Sequence, residues 1–135
     1  KKGRNVMPSK LRLRRIADRI RQELSQMIVM NEIHDPRIGG ASITDVKVDR
    51  ELAYADIYVS AVEGSERAEE ILAGFERASG FIRRYLAERV DLRVFPRLRF
   101  HWDPTPERAD RIERLLSSLR EERSDQETEE GPLDE

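Results

Sequence analysis

Residues 42–62 constrain the fold more than any other stretch of the chain. In SITDVKVD, residues 42–49, Thr44, Val46 and Val48 share one side and Asp45, Lys47 and Asp49 the other. In AYADIYVSAV, residues 53–62, Ala55, Ile57, Val59 and Ala61 alternate with Tyr54, Asp56, Tyr58 and Ser60. Strict alternation is the pattern of a strand with one buried face. Two such runs joined through Arg50-Glu51 predict a β-hairpin. A hairpin is marginal alone, so its apolar face needs cover from elsewhere in the chain.

That cover comes at helical spacing. Ser9 is placed as an N-cap, and Leu13, Ile16, Ala17, Ile20, Leu24, Met27 and Ile28 then form one apolar stripe ending near Met30. The polar side of this helix carries Arg12, Arg15 and Arg19 in a row. Pro36 and Gly39-Gly40 make NEIHDPRIGG, residues 31–40, a loop. Pro36 keeps Asp35 out of the helical region, and the Asp35 carboxylate is placed to cap loop amides, a structural role. Gly64-Ser65 ends the hairpin and caps a second helix, whose positive end suits Glu66, Glu69 and Glu70. Ala68, Ile71, Leu72 and Phe75 face inward. The pattern runs on past Ala78-Ser79-Gly80 into Ile82, Tyr85, Leu86 and Val90, with the glycine marking a kink or break. After Pro96, RLRFHWD (residues 97–103) predicts a third strand, with Leu98, Phe100 and Trp102 opposite Arg97, Arg99 and His101. Thr105-Pro106 opens a last helix with Ala109, Ile112, Leu115, Leu116 and Leu119 on one stripe.

The predicted fold is α+β and KH-like, of order α-β-β-α-(kink)-α-β, with an added C-terminal helix. Residues 1–8 read as a disordered leader, 9–104 as the KH-like RNA-binding domain, and 105–120 as the C-terminal helix. Residues 121–135, polar and without periodicity, read as a disordered acidic tail.

Charge is distributed unevenly. Residues 1–40 hold 10 Lys+Arg against 4 Asp+Glu, whereas residues 121–135 hold 1 against 8. A basic front on a folded domain points to a polyanionic partner. Chemistry of other kinds finds little support. With no Cys there is no thiolate ligand or nucleophile. The glycines form neither phosphate-loop pattern, and His34 and His101 lack partners at metal-ligand spacing. No run approaches the roughly 18 apolar residues of a spanning helix. The expectations are no enzyme activity, no cofactor, no metal, no membrane partner and a cytoplasmic home.

The functional signal lies in ERASGFIRRYLAERVDLRVFPRLRFHWD, residues 76–103. Helix, small-residue kink, helix and strand form the core of a KH-like unit, in which small residues let a nucleic-acid backbone approach. The second helix then turns its free N–H groups toward a phosphate. Candidate RNA contacts are Arg77, Ala78, Ser79, Gly80, Arg83 and Arg84 around the kink. Arg12, Arg15 and Arg19 on the first helix, and Arg97 and Arg99 on the third strand, join them. Gly80 is expected to hold a backbone conformation that a β-branched residue cannot adopt.

Over about residues 8–103 the chain resembles the ribosome-binding factor A family. The resemblance rests on Asp35-Pro36-Arg37 after the first helix, on TDVKVDRELAYADIYVS, and on ASG-FIRRYLAERVDLRVFPRLRFHWD with its A-x-G kink. It implies a type II KH-like fold and a monomer that binds the small (30S) ribosomal subunit and its precursor 16S rRNA near the decoding region. It further implies a part in late maturation, in forming the mature 5′ end, and in growth at low temperature. Asp103-Pro104-Thr105-Pro106 and the acidic tail depart from the family. Two other readings stand beside this one: a KH-like domain with an unrelated RNA target, and a protein-interaction module that binds no RNA. Binding that falls steeply with salt separates the RNA readings from the last.

Overall fold

A computed structural model of the protein describes residues 8–130. The leader expected over residues 1–8 and the last five residues of the expected tail lie, but for Pro8, outside the described residues. Residues up to Asp103 form one compact unit and those from Pro104 another.

The first unit contains α1 (Lys10–Val29), β1 (Ala41–Val48), β2 (Tyr54–Ala61), α2 (Ala68–Arg77), α3 (Ser79–Arg89) and β3 (Arg97–Trp102). The Ser9 side chain accepts a hydrogen bond from the Arg12 amide at 3.1 Å and so caps α1. β1 and β2 form the expected antiparallel hairpin, with an irregularity between Ile43 and Asp45. β3 lies parallel to β2 on its other side, giving the order β1-β2-β3. α2 begins at Ala68, after a 3-10 turn over Ser65–Arg67.

All three helices contribute to one core. Ile20, Leu24 and Met27 of α1, Ile71 and Phe75 of α2, and Ile82 and Leu86 of α3 are fully buried with Ala55, Ile57 and Val59 of β2. Phe75 stacks on Phe100 of β3 with ring centroids 5.1 Å apart. The order and class match the type II KH-like expectation.

The second unit contains α4 (Thr105–Glu130). The helix continues ten residues past Arg120, into the stretch expected to be disordered. Residues 121–130 lack an apolar stripe, but Glu, Gln and Arg are good helix formers and prolong a helix already begun. Ile112, Leu115, Leu116 and Leu119 share a stripe, as expected, and all four are exposed.

A turn that the hydrophobic pattern does not reveal locks the loop before β1. Asp35 accepts from the Arg37 amide at 3.0 Å and pairs with the Arg37 guanidinium at 3.0 and 2.7 Å. The turn sits on α2 at Gly74, where a Cβ would lie 2.8 Å from Ile38 Cγ2 and 3.1 Å from Arg37 Cβ. Arg67 clasps it from outside, donating to the carbonyls of Arg37 (2.8 Å) and Gly39 (3.0 Å) while pairing with Glu63 and Glu70.

Two outcomes follow for this turn. Gly→Ala inside a helix ordinarily stabilises by about 0.5–1 kcal/mol, but Gly74→Ala forces a methyl against a buried isoleucine. It will destabilise by about 1–3 kcal/mol in urea titration. Side-chain and backbone hydrogen bonds from Arg37 hold the Asp35 carboxyl down from 3.8 to about 2. The stability this provides is complete above the ordinary value and is lost as pH falls through the lowered one. The stability gap between wild type and Asp35→Asn will therefore close between about pH 4 and about pH 2.

Candidate nucleic-acid interface

α2 and α3 are separated by the single residue Ala78, whose φ of −87° and ψ of 2° break the helical path. The Ala78 amide still bonds to the Gly74 carbonyl, and the Ile82 amide to the Ala78 carbonyl. No side chain caps α3. The amides of Ser79, Gly80 and Phe81 therefore stand at a helix start without a capping acceptor, where the partial positive charge of the helix collects.

The junction is open. Ser79 is half-buried and Gly80 exposed. A Cβ at Gly80 would meet only the Arg84 guanidinium, at 3.6 Å, which is ordinary contact. The expectation of an unusual backbone at Gly80 is not met: it lies within α3, and the positive-φ glycines among the described residues are Gly40 and Gly64. What glycine provides here is a surface without side chain beside free amides.

The candidate arginines divide into three groups. Arg77 and Arg84 flank the junction, are exposed, and make no ion pair among the described residues. Arg83, expected to face RNA, instead turns inward. Its guanidinium donates to the Phe95 carbonyl at 2.5 Å and the Pro96 carbonyl at 3.1 Å, tying α3 to the segment that enters β3. On α1, Arg12 and Arg15 are exposed, while Arg19 pairs with Glu23 at 3.1 Å and reaches the Arg89 carbonyl at 3.3 Å. Arg19 thus meets the far end of α3, not the junction.

Arg97 and Arg99 lie on the sheet face opposite the helices, so they do not converge with the junction. Arg99 forms a two-pronged pair with Asp56 at 2.8 and 3.1 Å and lies 3.9 Å from the Tyr54 ring centroid. His101 bonds the same carboxylate at 2.7 Å and stacks on Tyr58. Burial pushes the Asp56 carboxyl up, but hydrogen bonds from Arg99 and His101 outweigh it and hold it below its ordinary range. Arg99 is thereby neutralised as a phosphate ligand, while Arg97 stays exposed. The sequence pattern also passes over Arg67 and Arg89. Arg89 lies over the Tyr85 ring at 3.5 Å.

One-sided helical cover of a three-stranded α-β-β-α-α-β sheet, with a broken helix pair presenting a bare N-terminus, defines a type II KH-like domain. Residues 12–116 match the sequence model of the family described as Ribosome-binding factor A. The chain is 39% identical over 108 residues to Ribosome-binding factor A of Aromatoleum aromaticum, covering 80% of this chain and 84% of that one. Identity to the Alcanivorax borkumensis protein of the same name is 43% over 112 residues, with 80% and 79% covered. The crystal structure of ribosome-binding factor A from Thermus thermophilus aligns with a TM-score of 0.58 at 26% identity, covering 70% of this chain and 94% of that chain. The chain belongs to the ribosome-binding factor A family.

The division of the arginines sets opposite outcomes for neighbouring residues. Replacing Arg77 and Arg84 with Glu will weaken RNA binding without lowering stability. Its salt dependence will flatten by about 0.7–0.9 for each phosphate left without a cation. Arg83→Glu will lower stability by about 1–3 kcal/mol, since it strands two carbonyl acceptors. Anisotropy titrations at several salt concentrations and thermal melts measure the two effects.

Proposed function

We propose that this protein is a non-enzymatic assembly factor that binds the maturing small ribosomal subunit through its 16S rRNA. The reading joins a family whose name describes ribosome binding to one structural observation: the uncapped start of α3, with Arg77 and Arg84 exposed and unpaired beside it. Backbone amides at a helix start and free guanidinium groups are the chemistry that takes a phosphate. Gly80 lets a sugar-phosphate chain approach those amides. No reaction is assigned: binding an RNA backbone needs positioned donors and cations, not an acid, a base or a nucleophile. The protein acts as a monomer in the cytoplasm, late in subunit maturation and during 5′-end processing, and its loss matters most in the cold, where misfolded RNA is slowest to escape. Among the described residues no helix is long and apolar enough to cross a membrane.

One feature favours a protein partner as well. The exposed stripe of Ile112, Leu115, Leu116 and Leu119 on α4 suits a protein surface better than RNA. Salt separates the two readings, because counterion release makes phosphate binding fall steeply with ionic strength.

In lysate sedimentation the protein will travel with free or immature small subunits and not with large ones. Equal recovery from both would leave only a general affinity for polyanions.

A further inference from the structure

The loop that follows α1 does not close against the α2–α3 junction. Between them runs a groove of about 310 Å³, with Glu32, His34 and Asp35 on one wall and Arg77, Ala78 and Phe81 on the other. Phe81 sits in the first turn of α3, off the buried stripe of Ile82 and Leu86, and is 42% exposed. The Tyr85 ring is covered by Arg89, and the centroids of Phe81 and Tyr85 are 6.4 Å apart. Phe81 therefore offers an aromatic face to the groove.

The two walls differ in charge. A phosphate suits the side formed by Arg77 and the amides of α3. It does not suit the opposite wall, where Asp35 is held ionised and Glu32 makes no side-chain hydrogen bond or ion pair among the described residues. A carboxylate repels a phosphate but accepts from the N–H groups on the edge of a nucleobase. Stacking on an exposed ring is the common way a protein holds an unpaired base.

We propose that this groove holds one unpaired nucleobase of an RNA strand, stacked on Phe81 with its N–H edge toward Glu32, while the adjoining phosphate rests on the start of α3. The proposal rests on the reading of the junction as an RNA interface and adds the class of RNA. A duplex keeps its bases stacked inside and presents mainly backbone and groove edges. The strand bound here is unpaired.

The test titrates the full chain with an unpaired RNA oligomer and with a hairpin duplex of equal length, reading fluorescence anisotropy. Wild type will prefer the unpaired strand. Phe81→Ala will lose about tenfold on that strand (about 1.4 kcal/mol), with its salt dependence and its duplex affinity unchanged. Phe81→Tyr, which keeps the ring, will stay within roughly twofold of wild type. Thermal melts confirm that both variants fold. Equal wild-type affinity for the two RNAs overturns the proposal, and so does a Phe81→Ala variant that retains the preference. Arg77→Glu with Arg84→Glu tests the underlying phosphate reading separately. If that variant binds as wild type does while Phe81→Ala still loses its preference, the phosphate assignment fails and the base pocket stands.

Discussion

β3 lies parallel to β2, and a parallel neighbour cannot be reached through a tight turn. After Ala61 the chain must travel back along the sheet, because Arg97 sits beside Tyr54 at the other end of β2. The return is roughly 25 Å for a strand of this length. One straight helix from Ala68 to Arg89 would span about 33 Å and overshoot it. The break at Ala78 shortens the path and lets Phe75 on one segment and Ile82 and Leu86 on the other reach a common core. The bare amides of α3 are thus a product of the crossover itself. A cap there would satisfy them but would also fill the position a phosphate takes.

Periodicity makes most of this architecture readable from the chain alone. The alternation in residues 42–62 and 97–103 and the spacing of Ile16, Ile20, Leu24 and Met27 each define one buried face, and burial follows them closely. Periodicity shows which way a residue points relative to the core, but not what a long polar side chain reaches. Arg83 and Arg84 are adjacent and identical, yet one finds carbonyls twelve and thirteen residues away while the other stays outside. Gly74 escapes notice for a similar reason: its partner is the turn at Pro36–Ile38, distant in sequence. Alternation in the third strand marks Arg97 and Arg99 as facing away from the core, but only the sheet topology shows that face to be the one away from the junction.

The arginines illustrate how weak a guide composition is to electrostatic function. The chain has 21 Arg and 4 Lys. Arg37, Arg67, Arg83 and Arg99 are occupied by carboxylates or carbonyls and act as struts between elements. A guanidinium suits this work because its planar fork can bind two acceptors at once. Removing such a strut leaves its acceptors unpaired, so its effect on RNA binding would be indirect. The groups able to meet a phosphate are those left without acceptors, Arg77 and Arg84 above all.

α4 rests on different physics. The other helices are held by the core, whereas the apolar residues of α4 are exposed and its last turn carries no base to offset the negative end of the helix dipole. Residues 121–130 are helical by propensity rather than burial, so a reading of disorder and the observed helix differ by little free energy. The family match ends at residue 116, before the acidic run begins. That run nevertheless changes how the chain meets a polyanion. Residues 1–120 hold 24 Lys+Arg against 19 Asp+Glu, a net of +5, and residues 121–135 bring the total to −2. A chain with this net charge gains little from long-range attraction to RNA, and exposed charges more than about 8 Å apart are screened at physiological salt. Affinity must then come from groups that touch the strand, which favours a particular RNA surface over polyanions in general.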